Sequence, residues 1–579
     1  MSLAAVSFAL LAAAQMPVGA QVTFDEQEAE QAVTDGTIIG PDRQFGTIAA
    51  EASGRRAVRL DRADQTLVFT LPRAANALTV RYAIPDSADG KGQSGQLDIL
   101  VSGERLASAP LSSRFGWFYG RYPFTNNPAD GLGHHFFDEV RVRLPRLLPA
   151  GTRITLRRAA GDQPSWVVID LVDFERIGSA NKRPANALSV VDFGADASGR
   201  RDAGDAFTAG IAQARRTSRP LWIPPGTYRV DRHLIVDRVT LVGAGPWYSI
   251  LTGTGVGVFG HESPHGSSNV HLRDFTIDGR VTERDDKQPL FAIGGAFNRS
   301  SLENLFLHHT KVGVWLDGPM HDLRIAGLRI TDQTADGINL HRGVHRATIE
   351  QNFIRNTGDD GIALWSDSHL DSDIVIRRNT AVLPILANGI ALYGGQNLAV
   401  GQNRIVDTLT EGGGVHLGTR FRSTAFRGRI SVAGNWIERS GSLDPRWHFG
   451  VGAIWLYALE APIAGSSIRL DGNRIIDSSC EALQLLGPRR IEGVRIEGLD
   501  VEGGGDTPLA LQTEGQADAL AMRVRNPASQ VVAVPKGFDL KVAQNMGWTV
   551  RFTDVQVAPR CVPLGQPPQD SRTINSVGK

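Results

Sequence analysis

Apolar and polar residues alternate with a period of two over the first third of the chain. Short runs of this kind begin at Leu78, Leu97, Arg153 and Trp166, and turn residues separate them. This period is typical of strands that bury one face, and such strands joined by turns predict an antiparallel β-sandwich. We expect the sandwich to span residues 21–177, followed by a polar linker at residues 178–188.

A repeat follows the linker. A four-residue unit with a small first residue and apolar second and fourth residues recurs, and its copies begin at Gly313, Gly337, Gly361, Gly389, Gly414, Ala453 and Ala482. The first four spacings are 24, 24, 28 and 25 residues. Short strands at such an interval predict a right-handed parallel β-helix over residues 189–579. A leucine-rich repeat has a similar period, but its L-x-x-L-x-L core is absent.

An apolar strand that contains Asn or Gly precedes each unit. These residues are Asn304, Gly327, Asn352, Asn379, Asn403, Asn435 and Asn473. Asn side chains at equivalent bends can hydrogen-bond to the coils above and below, which predicts a ladder along the β-helix. Residues Asp205 to Arg216 have apolar residues at helical spacing. We expect this helix to cover the N-terminal end, since an open end would expose strand edges.

Composition and charge narrow the classes of partner. The chain has 579 residues, with 61 Lys+Arg against 61 Asp+Glu, so charge does not support a nucleic-acid or membrane-surface partner. The apolar run from Leu3 to Ala14 predicts an export signal over residues 1–20, and hence a secreted or periplasmic protein. With only Cys480 and Cys561, a disulfide scaffold and a four-ligand zinc site are excluded, and one disulfide is compatible but not required.

One outer face of the repeat carries aromatic and small residues. The third and fifth residues of the units should point outward, and those that we expect to bind substrate are Asn339, His341, Trp365, Tyr393, His416, Trp455 and Tyr457. Such a stripe suits an extended, uncharged, flat-faced polymer, which indicates a glycan. The alternative is that a loop or the sandwich covers these rings. The aromatic stretch from Phe115 to Gly120 likewise either binds sugar or packs against the β-helix.

Acidic residues precede the glycine in two successive units. Asp336, Asp360 and Asn388 occupy this position, so they should stack about 4.8 Å apart, and Asp359 adjoins the second of them. Carboxylates this close raise at least one pKa, which leaves a protonated acid beside ionised partners, as glycosidic hydrolysis requires. A calcium site and simple turn formation are the alternatives, because both use the same oxygen atoms.

These motifs resemble glycoside hydrolase family 87. The resemblance lies in the segments that begin at Ala335, Asn356 and Asn388, and in the sandwich at Trp117, His134 and Trp166. The segment from Val190 to Tyr228 resembles the wider pectate-lyase-like superfamily, which speaks to fold more than to chemistry. Known members of family 87 are secreted bacterial α-1,3-glucanases and mycodextranases that invert the anomeric centre. The resemblance therefore implies a neutral α-glucan substrate, a carbohydrate-binding-like sandwich, and catalysis by Asp336, Asp359 and Asp360. A further family carboxylate has no clear match.

The stacking of the coils suggests which aspartate is the general acid and which are the general base. Asp359 lies off the stacked pair and is predicted to be the general acid, while Asp336 and Asp360 hold the water as general base, with Asn388 beside them. Inversion would place acid and base carboxyls roughly 6.5–9.5 Å apart, against about 5–5.5 Å for retention. We expect a monomer that needs no cofactor or catalytic metal, although a structural calcium ion would be compatible.

Three other functions stay open at the level of sequence. A polygalacturonase shares the aspartate layout, but its Gly-His-Gly and Arg-Ile-Lys elements are missing. A β-helix polysaccharide lyase would need a basic residue, for which Arg342, Arg420 and Arg422 are candidates. A non-catalytic glycan-binding protein would leave the clustered aspartates unexplained.

Overall fold

The computed structural model describes residues 17–554, except 121, 123, 162, 163 and 445–448. Most of the predicted export signal, and Cys561, lie outside these residues. Within the described residues, no helix is long and apolar enough to cross a membrane.

Two antiparallel sheets form the N-terminal β-sandwich, as the alternating pattern predicts. The six-stranded sheet contains Phe24–Glu28, Thr37–Ile39, Ala57–Leu60, Ala75–Ala83, Asp138–Leu148 and Val167–Glu175. The five-stranded sheet contains Val33–Thr34, Thr66–Thr70, Ser94–Val101, Glu104–Ser112 and Arg153–Arg158. Their facing apolar side chains form one core. Two strands of the six-stranded sheet are buried on both faces, because the outer face of that sheet packs against the rest of the protein.

Three long parallel sheets form the β-helix that the repeat predicts. The 14-stranded sheet contains Leu188–Ser189, Leu221–Ile223, Thr240–Gly243, His271–Arg273, Ser300–Glu303, Met320–Ala326, Val344–Glu350, Ser372–Arg377, Gly395–Gly401, Phe426–Ala433, Ser466–Asp471, Ile491–Glu497, Gly515–Leu520 and Phe538–Ala543. The 13-stranded sheet contains Ser198–Asp202, Gly226–Arg229, Ser249–Thr252, Thr276–Asp278, Phe306–His308, Arg329–Gln333, Phe353–Thr357, Thr380–Pro384, Arg404–Val406, Trp436–Glu438, Arg474–Ile476, Asp500–Glu502 and Arg523–Arg525. The 11-stranded sheet contains His233–Ile235, Gly257–Phe259, Phe291–Gly295, Val312–Asp317, Ile338–His341, Ile362–Trp365, Ile390–Tyr393, Val415–Gly418, Ile454–Tyr457, Leu483–Leu486 and Leu509–Gln512.

Shorter elements complete the fold. The paired short strands are Phe118–Tyr119 with Gly133–His134, Ser267–Ser268 with Phe297–Asn298, Ser442–Asp444 with Phe449–Val451, and Val531–Pro535 with Thr549–Thr553. The 3₁₀ helices are Ala29–Gln31, Ala49–Glu51, Ser53–Arg55, Pro128–Asp130 and Val190–Phe193. The predicted helix is present at Gly204–Thr217, and its buried Phe207, Ile211 and Ala214 join the β-helix core.

Close backbone stacking requires glycine at the first position of the central units. A Cβ atom on Gly337 would lie 2.5 Å from the carbonyl oxygen of Gly361, and one on Gly361 would lie 2.6 Å from that of Gly389. Real Cβ atoms do not approach backbone oxygens this closely. The three glycines therefore form one column, and the residues that precede and follow them are aligned between coils.

The predicted asparagine ladder extends over five coils. Each amide nitrogen donates to the side-chain oxygen of the next Asn at 2.9–3.0 Å, along the series Asn352, Asn379, Asn403, Asn435 and Asn473. The prediction was wrong for Asn304 and Gly327. The strand register aligns Gly327 with Gln351, so both residues lie one position earlier in the bend than the ladder.

The sandwich and the β-helix meet across a polar, buried interface. Arg355, on the 13-stranded sheet, contacts Glu139 at 2.5 Å and Asp173 at 2.7 Å, and all three side chains are fully buried. Glu26 is a third partner of the same guanidinium at 2.8 Å. A buried charge without a partner is costly, so these contacts hold the two parts in one relative position.

Replacing Arg355 by Met should destabilise the protein strongly. The substitution removes the direct counter-charge of Glu139 and leaves Asp173 with Arg329 alone, and breaking such a buried pair costs about 3–5 kcal/mol. The matched control is Arg346→Met, which removes an exposed pair with Asp322 and should leave the thermal unfolding midpoint unchanged. Equal midpoints for both variants in a thermal scan would show that the buried ion pairs do not stabilise the interface.

Candidate active site

A cleft lies beside the turns that join the 13-stranded sheet to the 11-stranded sheet. Its volume is about 620 Å³. Asp336, Asp359 and Asp360 lie in its wall, with Asn388 from the next coil. The cleft thus forms at the edge of the β-helix that faces the sandwich, where each coil contributes one turn.

Backbone hydrogen bonds between coils stack the acidic turns in the predicted order. Gly337 N–H donates to the carbonyl oxygen of Asp360 at 3.0 Å, and Gly361 N–H donates to that of Asn388 at 2.8 Å. One carboxylate oxygen from each of the three aspartates lies within 4.8 Å of the other two. The predicted cluster of Asp336, Asp359 and Asp360 is therefore present as a geometric unit.

Asp360 is held by three donors. The backbone and side-chain nitrogens of Asn388 both donate to its Oδ1 at 2.8 Å, and the Tyr393 hydroxyl donates to its Oδ2 at 2.9 Å. Asn388 is itself oriented by Trp455, whose ring nitrogen donates to the Asn388 side-chain oxygen at 2.8 Å. Asp360 is thus a buried carboxyl in a fixed orientation.

Asp359 is paired with an arginine that no sequence motif predicts. Arg284 Nη2 lies 2.8 Å from Asp359 Oδ2, and its Nε lies 2.9 Å from Asp286. Asp286 in turn accepts a hydrogen bond from the Tyr122 hydroxyl of the sandwich. Although burial lowers the pKa of Arg284, Asp359 and Asp286 raise it overall, so this guanidinium stays charged. A chain of contacts therefore joins the sandwich to one of the three aspartates.

Burial and mutual repulsion alter the protonation of the stacked pair. Burial, followed by the charges of Asp359 and Asp360, raises the pKa of Asp336 well above its ordinary value. Burial, followed by the charge of Asp359, raises the pKa of Asp360 to about 7. The cluster therefore holds at least one proton at neutral pH, and it belongs first to Asp336. One protonated carboxyl beside ionised ones is the arrangement that acid–base catalysis requires.

The same three oxygens are also compatible with a cation. Calcium takes 6–8 oxygen ligands at about 2.3–2.6 Å, so the aspartates would supply fewer than half of them. The Arg284 guanidinium against Asp359 further reduces the attraction of this cluster for a cation. The arrangement thus fits proton transfer better than calcium binding.

The residues predicted to bind substrate divide into two groups. Those that line the cleft are Asn339, Trp365, Tyr393 and Asn388. His416 and Trp455 are fully buried and stack on each other at a centroid distance of 3.7 Å, while Tyr457 and His341 are 7% and 5% exposed. These four rings do not line the cleft: Trp455 packs against His416 and Tyr457, and His341 stacks on Trp365 at 4.4 Å. The alternative that part of the stripe is covered therefore holds for them, and Trp455 acts on the site through Asn388.

Several cleft residues were missed at the level of sequence. Tyr122 and Phe124 come from the sandwich, and the others are Arg284, Asp286, Phe291, Lys311, Leu386, Glu411 and Phe421. Trp315, an outward third residue of the first unit, and Arg420, a candidate base of the lyase alternative, also line the cleft. Phe291 belongs to the same aromatic stripe one coil earlier, because it lies on the 11-stranded sheet and stacks on Trp315 at 5.5 Å. Arg284 and Asp286 lie in the polar segment between Thr276–Asp278 and Phe291–Gly295. The length of this segment was the feature of the sequence that could have indicated a loop beside the cleft.

The aromatic stretch of the sandwich mainly packs against the β-helix. Phe115 stacks on His309 at 3.8 Å, and Phe118 and Phe124 join an apolar cluster with residues of the 13-stranded sheet. Phe124 also reaches the cleft. The packing interpretation therefore describes this stretch, and Tyr122 and Phe124, which follow it in the chain, form one wall of the candidate site.

Comparison with known proteins follows the same two-part division. A family model described as alpha-1,3-glucanase catalytic domain D1 matches residues 21–177, and one described as catalytic domain D2 matches residues 205–426. None of the curated proteins matches the chain.

Solved structures match both parts together. The catalytic unit of a thermostable GH87 α-1,3-glucanase from Streptomyces thermodiastaticus strain HF3-3 is 35% identical, with a TM-score of 0.84 over 94% of this chain and 100% of that chain. The Agl-KA catalytic domain is 23% identical, with a TM-score of 0.81 over 92% and 100%. A GH87 α-1,3-glucanase catalytic domain in complex with nigerose is 24% identical, with a TM-score of 0.79 over 92% and 98%. At 23% and 24% identity, the similarity to the last two structures shows that this chain has the same fold as they have.

The raised pKa of Asp360 means that this residue should lower the stability of the folded protein at neutral pH. Between an ordinary pKa of about 4 and the folded-state value of about 7, the folded protein binds more protons than the unfolded chain, so its stability falls as pH rises through this window. Asp360→Asn removes that loss. We expect its thermal midpoint to exceed that of the parent by roughly 2–6 °C at pH 8 and to approach it near pH 4. A midpoint difference that does not change with pH would contradict the assignment.

Proposed function

Because the chain belongs to glycoside hydrolase family 87, we propose that it hydrolyses the α-1,3-glucosidic links of an uncharged glucan. The observation that carries the proposal is the cluster of Asp336, Asp359 and Asp360 in the wall of a cleft. The chain is 35% identical to a GH87 α-1,3-glucanase over 94% of its length, which supports the same substrate class. The alternating α-1,3/α-1,4-glucan is included in the proposal as a second substrate.

The composition of the cleft supports a neutral polymer. Its cations Arg284, Lys311 and Arg420 are outnumbered by five acidic residues. Lys311 donates to backbone oxygens, and Arg284 is paired with carboxylates, so neither is available to a uronate. The half-buried rings of Trp315 and Trp365 offer apolar surface instead. A polygalacturonan would meet a site with no net positive charge.

The lyase alternative loses two of its candidate bases. Arg342 and Arg422 both contact Asp367, at 3.3 Å and 2.9 Å, and they do not line the cleft. A non-catalytic function would leave a raised pKa and a charged arginine beside the same cluster without purpose. Membership of a hydrolase family agrees with both arguments.

The proposed reaction uses Asp359 as general acid. Asp359 protonates the glycosidic oxygen as its bond to the anomeric carbon breaks, while Asp336 and Asp360 take a proton from the attacking water. Exposure supports this division, because the Asp359 side chain is 29% exposed whereas Asp336 and Asp360 are buried. A group that must reach a bulky polymer has to be accessible.

The resting site requires one further step in this scheme. Its most strongly raised pKa belongs to Asp336, while Asp359 is paired with Arg284. The proton must therefore pass to Asp359 when a glucan displaces water from the cleft, over carboxylate oxygens that lie within 4.8 Å of one another. Asp336 as the direct acid is the second assignment, and the same raised pKa favours it.

Inversion is the stereochemical part of the proposal. The closest oxygens of the cluster are nearer than the roughly 6.5–9.5 Å expected between the carboxyl groups of an inverting pair. The spacing therefore does not favour inversion, and this part rests on the family resemblance alone. We also propose export, since a glucan polymer cannot enter a cell, in agreement with the apolar run from Leu3 to Ala14.

Substrate and stereochemistry can be tested together. Incubation with linear α-1,3-glucan, with alternating α-1,3/α-1,4-glucan and with polygalacturonate should release reducing sugar from the first, and the second shows whether mixed links are accepted. Proton NMR of the first minutes should detect the β-anomer at the new reducing end. A first-formed α-anomer would refute inversion, and unsaturated uronides would indicate the lyase instead.

A substrate whose leaving group needs no proton separates the roles of the aspartates. Asp336→Asn, Asp359→Asn and Asp360→Asn should each lower turnover of the polymer by about 10²–10⁴. Asp359→Asn should keep near-parental turnover of α-nigerosyl fluoride, whereas the other two should lose it. The exposed Asp322→Asn serves as control and should match the parent on both substrates. Retention of fluoride turnover by Asp336→Asn instead would assign the acid role to Asp336.

A further inference from the structure

A second cluster of ligand-type side chains lies where the sandwich meets the β-helix. It consists of Asp138 from the sandwich and His308, His309 and Asp332 from the β-helix, all buried. One nitrogen or oxygen from each residue lies within 4.8 Å of those of the other three. No ligand spacing in the sequence predicts this group, because Asp138 lies 170 residues before His308.

The bend that follows the central strands of the 13-stranded sheet brings both imidazoles to the same side. Successive residues of a strand point to opposite faces, but His309 follows the strand Phe306–His308 with a φ of 49°, in the left-handed region. The two rings consequently stack at a centroid distance of 3.5 Å. The aligned residues of the next coils, Asp332, Asn356, Leu383 and Asp407, have φ values of 54–60°. The bend therefore belongs to the fold, and the particular feature of this coil is that two histidines meet at it.

The nitrogen atoms of the two rings are arranged in a common direction. His308 Nε2 lies 2.9 Å from Asp332 and 3.9 Å from Asp138, and His309 Nε2 lies 2.8 Å from Asp138. Each Nδ1 faces Asp278, at 3.9 Å for His308 and 3.1 Å for His309. A carboxylate on Nδ1 that leaves Nε2 for a metal is the usual outer contact of zinc-bound histidine.

The two carboxylates are also held from outside. The Tyr82 hydroxyl donates to Asp138 at 3.2 Å, and the Asn356 side chain donates to Asp332. Metal-binding carboxylates are commonly supported in this way. The cluster thus has four converging ligand atoms and a surrounding set of hydrogen bonds that orient them.

We propose that Asp138, His308, His309 and Asp332 bind one Zn²⁺ ion that joins the sandwich to the β-helix. This site goes beyond the proposed function and departs from the expectation from sequence that a four-ligand zinc site is excluded, because its ligands are His and Asp rather than Cys. Two imidazole nitrogens and two carboxylate oxygens are ligands that zinc accepts in tetrahedral geometry. Calcium is disfavoured, because it takes 6–8 oxygen ligands and this group offers nitrogen.

The distances agree with this ion. Zinc–nitrogen and zinc–oxygen bonds of about 2.0–2.2 Å place tetrahedral ligands roughly 3.3 Å apart. The contacts of 2.8, 2.9 and 3.9 Å within the cluster bracket that value, so small rotations of the side chains would suffice. Zinc would replace the protons that the Nε2 atoms donate to the carboxylates, and would hold the two parts of the protein together.

Uptake of zinc by the whole chain tests the proposal. Purified protein is freed of metal with a chelator, incubated with Zn²⁺, passed through a desalting column and measured by plasma mass spectrometry and by thermal unfolding. We expect one zinc per chain and a rise in the thermal midpoint of at least about 5 °C. Co²⁺ added in place of Zn²⁺ should give visible absorption typical of tetrahedral nitrogen and oxygen ligands. Absence of uptake with an unchanged midpoint would reduce the cluster to a hydrogen-bond network and overturn the proposal.

Variants locate the bound ion. His308→Gln and His309→Gln should abolish uptake, and Asp278→Asn, which keeps all four ligands, should weaken zinc affinity about 10–100-fold. If the histidine variants fail to fold, Asp278→Asn still provides the test. The matched control is His321→Gln, an exposed histidine beside Asp322, which should bind zinc like the parent. Uptake that survives the histidine variants but is lost in Asp336→Asn would place the metal in the catalytic cluster and refute the proposal.

Discussion

The register between successive coils determines the position of every functional side chain in the β-helix. Parallel backbone hydrogen bonds align each strand with the next, and the column that includes Gly337 and Gly361 leaves no room for a one-residue slip without a steric clash. A slip of one residue would also exchange inward and outward side chains. Because the register is fixed, residues 24 positions apart, such as Asp336 and Asp360, become neighbours. The asparagine ladder reinforces the same alignment.

This alignment makes the acidic cluster possible and also makes it unfavourable. Two stacked carboxyls are buried beside a third. Burial and repulsion between the carboxylates raise the pKa values of Asp336 and Asp360. The apolar core of the β-helix offsets the cost, since it is continuous from the N-terminal helix to the last coils. Hydrogen bonds from Asn388 and Tyr393 hold the Asp360 carboxyl in one orientation.

The sandwich completes the structure on the side where the turns meet. It covers one face of the 13-stranded sheet through buried ion pairs at Arg355, and contributes Tyr122 and Phe124 to the cleft. Through Asp286 and Arg284 its contacts reach Asp359. The same interface contains the cluster around His309. Chemistry in this protein is therefore concentrated where two structural units share polar residues.

The sequence by itself determined whatever depends on local repetition. The unit spacing predicted the β-helix, the stacking of Asp336 on Asp360 and most of the asparagine ladder, because inward apolar positions that recur in every coil align equivalent residues. The alternating pattern predicted the sandwich, because a strand with one apolar face must bury that face. Only the tertiary structure decided which outward rings are covered, as at His416 and Trp455, and which distant residues join the cleft, as at Tyr122 and Arg284. Those outcomes depend on how loops and a second unit pack against the coils, and such packing leaves no period in the chain.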